Sequence, residues 1–251
     1  MSFGKWGVLT VTFLVLLGID GYWIANANDG TNLRVQWLST LILLVGLCVA
    51  AGYLVNTRID GILIDDRNRI SLERMQWSTW LIVLFSGYFV EAVWNTSHGG
   101  NFPSMQKELL ALLGIISGSP VLSNLIVDTK KRDTVTVGAK SQVSQQLAEG
   151  DTPARMGLMD ANNESNEASW ADLYLGEEVA NRYVVDVSRL QKVVITVLLV
   201  VTYAGWLWHD FEKPPVAGFS DMPPVGETFV WLVGLSHASY LASKATPKTP
   251  A

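Results

Sequence analysis

The ionisable residues able to do chemistry in this chain are few and scattered. Asp20, Glu91 and the His209-Asp210 pair each fall near the end of an apolar run. A charge at such depth marks a site by default, because hydrocarbon does not solvate it. Together they are expected to form an outer polar ring that favours cations; the plainer alternative is interfacial side chains in reach of water. A second set, Arg74 and Gln76 with Arg189 and Gln191, repeats an Arg-x-Gln pattern where two apolar runs begin. It is expected to form a rim on the basic side, with arginine stems snorkelling to lipid phosphates and glutamines bonding across helices. Pro120 lies beside Ser117 and Ser119 and frees the carbonyl of Ile116. Such a carbonyl either helps hold a cation or is satisfied by a neighbouring helix. His237 is expected to bond a neighbour, since His98 and His209 fall on the opposite side and offer no axial pair for haem. No His, Cys or paired-carboxylate set has metal-ligand spacing. No phosphate-binding loop, HExxH or G-x-S-x-G is present. The stretch 114–119 is a near miss for a glycine-rich loop, but it sits inside an apolar run with no strand before it. No cofactor, metal or enzymatic activity is expected.

The elements that must position these residues are apolar. Of 251 residues, 49% are hydrophobic and 16% charged, against about 25% charged in soluble domains. Windows 6–19, 35–57, 75–90, 109–127, 193–209 and 228–243 carry no charge. A spanning helix needs about 20 mostly apolar residues, so these are six candidate spans with their ends under polar flanks. That pattern excludes a soluble enzyme. A net charge of −5 without a free basic face excludes a nucleic-acid binder. The single cysteine, Cys48, excludes a disulfide scaffold. With both termini inside, six helices place fifteen of the 18 basic residues on the cytoplasmic side, as the positive-inside rule requires. Nine of the ten Trp fall at or near span ends, where indole rings anchor at the headgroups, and Trp170 does not. Lys5, the run 8–19 and Ala25-Asn26-Ala27 admit a signal-peptide reading; the segment is read here as the first helix.

Internal repetition organises the rest. Residues 71–76 (SLERMQ) match 186–191 (DVSRLQ) at an offset of 115, with Tyr88 and Tyr203 in the same register. The returning helices match at an offset of 120, Gly114 with Gly234, Ser119 with Ser239 and Ser123 with Ser243. Ser71 and Asp186 are helix N-cap types. Two helices per copy make the copies parallel. The division expected is a helix pair at 1–57, a first repeat at 58–132, a polar cytoplasmic linker at 133–181 and a second repeat at 182–251. The first pair is a weaker candidate for a third copy. Residues 133–169 hold no Phe, Tyr or Trp, and such a composition buries too little apolar surface to order itself. After it, Trp170, Leu173 and Tyr174 have helical spacing and form a short amphipathic segment, to lie on the membrane or dock a partner. Small residues at four-residue spacing, Gly114 and Gly118, Ser119 and Ser123, Gly234 and Ala238, predict close packing of the even-numbered helices, within one chain or between copies.

The stretch 61–72 (GILIDDRNRISL), with 234–244 (GLSHASYLASK), resembles a group of uncharacterised bacterial multi-pass membrane proteins carrying I-D-x-R-N-x-x-S-L and L-L-G-x-S-H-A-x-Y-L-x-x-K segments. The resemblance covers both repeats, about half the chain, and implies no activity. The expectation is an all-α, six-helix bundle of the bacterial inner membrane, N-in and C-in. Its function is expected to be that of a structural or adaptor subunit. It would self-associate through small-residue faces and offer the loop 128–192 to a cytoplasmic protein. An oligomeric cation channel is the alternative, and a small-solute transporter the third reading.

Overall fold

A computed structural model describes residues 3–28, 30–133 and 154–248. Six long helices dominate: α1 (Phe3–Ala25), α2 (Arg34–Asn56), α3 (Leu72–Ser97), α4 (Lys107–Arg132), α5 (Val187–Asp210) and α6 (Glu227–Ala245). Between α4 and α5 lies a two-stranded antiparallel hairpin, β1 (Ala154–Met156) with β2 (Met159–Ala161), followed by three short 3-10 turns. The helices coincide with the charge-free windows because nothing else satisfies the backbone of a long apolar run. Among the described residues, α1 to α5 are long and apolar enough to cross a membrane. The sixth window does form a helix, but the shorter α6 is not one of the five.

The chain divides into two compact units. The first comprises 1–62, 78–113 and 197–230. Trp37 lies at its centre, bonding Ser86 Oγ at 3.0 Å and packing against Trp208 and Phe211. Asn95 fastens the loop after α5 through the backbone N–H and carbonyl of Phe219, at 2.8 and 2.7 Å. Trp37, Trp80 and Trp94 are all buried. They are core residues rather than the interfacial anchors their positions near span ends suggest, because their helices pack on one another at those depths.

The second unit comprises 63–77, 114–196 and 231–251. Here the linker expectation needs correction. Residues 134–153 lie outside the described residues, but 154–181 fold as part of this unit, with Leu158, Met159, Leu173 and Val179 buried. Composition misled because buried ion pairs add to these few apolar contacts, and a count of apolar residues does not register them. At the hairpin turn, Gly157 takes φ of 61°, and a side chain there would strike the carbonyls of Lys130 and Lys131.

Helix packing departs from the small-residue expectation. A Cβ built at Gly114 or Gly118 meets nothing within 4 Å, and at Gly234 only Ile115, at 3.6 Å. Ala238 and Ser239 are exposed. Among the described residues the stripe's glycines therefore close no tight contact, whereas its Ser119 and Ser123 are buried. The close approaches are Gly52 against Gly61, and Gly87 against Leu207 of α5. The most buried of the long helices is the odd-numbered α3, at 56% of its span.

The buried faces of the two helix pairs also run one residue out of step with the sequence match. Arg74 is exposed where Arg189 is buried, Gln76 is buried where Gln191 is exposed, and Ser119 is buried where Ser239 is exposed. Burial coincides instead at Glu73 with Arg189, Gln76 with Lys192, and Ser123 with Lys244.

Candidate functional site

The second unit gathers its charges through three pieces of local structure. In the loop before α3, Asp65 Oδ1 accepts from the backbone N–H of Arg67 and Arg69 at 2.9 and 3.2 Å. Asn68 takes φ of 55°, and Ile64 pairs with Ile70. This tight turn sends both arginines inward, each 3% exposed. Ser71 then caps α3 and bonds Glu73 Oε2 at 3.0 Å.

In the segment before α5, Ser169 and Asp172 form a capping box. Backbone bonds from Gly176 to Val184 and from Asp186 to Tyr174, at 3.0 and 2.8 Å, fold the chain back on itself and turn Glu177 and Glu178 inward. Asp186 caps α5 by accepting from the N–H of Ser188 at 2.9 Å. The helix phase this fixes places Arg189 and Lys192 on the buried face.

Glu177 is the hub. Its Oε1 takes Arg67 at 2.7 Å and Arg189 at 3.0 Å, and its Oε2 takes Lys244 at 2.8 Å and the Tyr240 hydroxyl at 3.2 Å. Lys244 also reaches Glu73 Oε1 at 2.8 Å, an oxygen that accepts from Tyr240 and Ser123 as well. Arg189 donates to the carbonyls of Asp172 at 2.6 Å and Leu173 at 3.3 Å. Beside the hub, Arg69 pairs with Asp160 at 2.9 Å and Asp172 at 3.1 Å, and Lys130 pairs with Glu178 at 2.6 Å. Four helix ends and the 154–186 segment are thus tied by charge-assisted bonds, the strong kind.

Burial and pairing compete here, and the balance differs by position. Burial opposes ionisation of Glu177, but Lys244, then Arg189 and Arg67, outweigh it and hold its carboxyl well below the ordinary range. Arg67 likewise rises, because Glu177 and Asp65 outweigh its burial. At the Arg69–Asp160 pair burial prevails: Arg69 is lowered and Asp160 raised despite their contact. The hub is therefore a firmly charged clamp, while the flanking pair is held at a cost.

A cleft of ≈ 290 Å³ opens beside the clamp, lined among others by Arg67, Ser71, Glu73, Pro120, Ser123 and Lys244. Pro120 lines this polar cleft, but α4 runs through it without the interruption expected from sequence. The Arg-x-Gln rim is only half assembled. Arg189 and Gln76 join the buried face, Gln76 bonding Thr196, while Arg74 and Gln191 face outward. Arg189 does not snorkel; it is 2% exposed and paired with Glu177.

In the first unit the four residues expected to form an outer polar ring have unlike surroundings. Asp20 is buried and accepts from Ser39 and from Thr40, the latter at 2.6 Å. Glu91 is fully buried with neither oxygen hydrogen-bonded. Asp210 is half-buried, and the His209 side chain is 78% exposed, 3.9 Å from Glu212. Of the amphipathic trio, Trp170 and Tyr174 are exposed as expected, but Leu173 points into the core.

Sequence reasoning missed Glu73, Glu177, Lys192, Tyr240 and Lys244. The one available signal was the unusual run of charges flanking apolar windows, which reads equally well as solvated surface. No protein-family model, no curated protein and no solved structure matches this chain.

Proposed function

We propose that this chain is a non-enzymatic, multi-pass inner-membrane protein with both termini cytoplasmic, acting as a structural or adaptor subunit of a membrane assembly. One observation carries the reading. The 154–186 segment turns Asp160, Asp172, Glu177 and Glu178 inward, onto the helix ends, and leaves a run of large apolar side chains exposed. Tyr174, Tyr183, Val184 and Val185 are exposed on the folded-back stretch, and Trp170, in the 3-10 turn just before it, is exposed too. Exposed apolar patches on an otherwise firmly held segment mark contact surfaces. The five apolar helices supply the anchor. The open small-residue stripe at Gly114 and Gly118 supplies a face for a second copy.

The test is site-specific photo-crosslinking in native membranes. A photoreactive residue at Val184 should capture one protein of defined mass, and the product should vanish when Trp170 and Val185 are changed to Ser. The same probe at Val201, an exposed position on α5, should label lipid alone. Lipid labelling alone at Val184 sinks the adaptor reading and makes the segment a membrane-surface element.

A second reading, a cation pore, is favoured by Glu91, a buried carboxyl with no bonded oxygen in an apolar helix. It requires that reconstituted protein conduct, and that Glu91→Gln weaken cation preference. A silent bilayer over a wide voltage range excludes it.

A further inference from the structure

We infer that the second unit holds a small monovalent anion of the chloride, bromide or nitrate class, bound by Lys192 within a polar layer formed by all four of its long helices. The layer is built from one residue per helix: Gln76 of α3, Ser119 of α4, Lys192 of α5 and His237 of α6. Each is buried, at 2%, 4%, 0% and 6% exposure. Each carries a buried polar atom with no hydrogen bond among the described residues: Gln76 Oε1, Ser119 Oγ, Lys192 Nζ and His237 Nδ1. Buried polar atoms are nearly always bonded, and an unmodified exception points to water or an ion.

Gln76, Ser119 and His237 each stand one turn along from Glu73, Ser123 and Tyr240, which are bonded together. Lys192 lies against the Tyr240 ring between these two levels, its Nζ 4.0 Å from the ring centroid. Gln76 bonds Thr196, one turn from Lys192.

The charges determine the occupant's sign. Lys130 pairs with Glu178, Lys131 with Asp66 and Asp128, and Arg69 and Arg182 with Asp160 and Asp172. At the hub, Arg67, Arg189 and Lys244 match Asp65, Glu73 and Glu177. Lys192, by contrast, is fully buried and makes no ion pair among the described residues. Its contact with the Tyr240 ring offsets only part of the cost of burying an ammonium. An anion at Nζ supplies the partner that no carboxylate of the described residues gives it. Lys192 N–H groups, the Ser119 hydroxyl and a His237 N–H all donate, which is the chemistry that holds a halide or nitrate.

The test uses the full chain in detergent, transferred into sodium gluconate. Thermal unfolding is followed while chloride, bromide or nitrate replaces gluconate at constant ionic strength. The expected result is a saturable rise in Tm of about 5–10 °C at a hundredfold excess over the half-saturating concentration. Chloride-35 line broadening should appear with wild-type protein and be competed by nitrate. Lys192→Met should abolish both effects, and Ser119→Ala should raise the half-saturating concentration about tenfold. The inference fails if wild-type protein shows neither effect, a result that needs no variant to fold. It also fails if both effects persist in Lys192→Met, which would leave an adventitious ion only.

Discussion

Replacing Glu177 with glutamine removes one charge and keeps the side chain's shape. Three cations lose their shared partner, but unequally. Lys244 retains Glu73 at 2.8 Å and Arg67 retains Asp65 at 2.7 Å. Arg189 retains only the carbonyls of Asp172 and Leu173. The penalty therefore concentrates on one guanidinium that is 2% exposed. Breaking a buried pair on one side costs about 3–5 kcal/mol. For a chain of this size that lowers Tm by about 6–20 °C. Thermal unfolding in detergent at pH 7, read by tryptophan fluorescence, measures it. Adding Arg189→Gln to Glu177→Gln should cost less than the two single changes summed, with a coupling of about 1–3 kcal/mol. The pH profile gives a second reading. An unfolded glutamate titrates near pH 4.3, and the folded Glu177 carboxyl lies well below its ordinary value. The stabilisation is complete above that unfolded value and is lost as pH falls toward the folded one. Wild-type Tm should fall steeply below about pH 4, and the Glu177→Gln profile should be flatter there. A Glu177→Gln protein melting within about 2 °C of wild type, less than 1 kcal/mol of change, would refute the clamp.

Two further substitutions probe the frame around the clamp. Gly157→Ala forces a side chain into a left-handed turn and against the carbonyls of Lys130 and Lys131; strain of about 1–3 kcal/mol should lower Tm by several degrees and loosen the 154–161 hairpin to proteolysis. Gly118→Ala should do the opposite in the isolated chain, because open space surrounds the position and alanine is about 1 kcal/mol better than glycine in a helix interior; a fall in Tm would show that the position is already filled by another copy.

How much was legible in the sequence depends on the range over which each residue acts. The helices and their starts were legible, because the charge-free windows and the caps Ser71 and Asp186 act within a few residues. The charges were not. Glu177 meets Arg67 across 110 residues, so a string that reads as a solvated linker is, in three dimensions, half of a salt bridge. Burial of Trp37 and Trp94 was hidden for a related reason: the same position near a span end faces lipid or protein according to its neighbours. The duplicated motif was visible, but equal letters did not imply equal surroundings, as Arg74 and Arg189 show.

The clamp also sets a clock on biosynthesis. Glu73 and Lys244 are 171 residues apart, so at about 5–20 residues per second the ribosome takes roughly 10–30 s to pass from one to the other. In that interval Glu73 has only hydroxyl partners on α3 and α4, Glu177 waits for its lysine, and the later cation arrives with α6. A nascent chain that has not yet made α6 therefore lacks the lysine that bridges Glu73 and Glu177 in the clamp. The arrival of α6 is thus marked by an electrostatic event as well as by added length, and that event gives a quality-control protease a physical difference on which to discriminate.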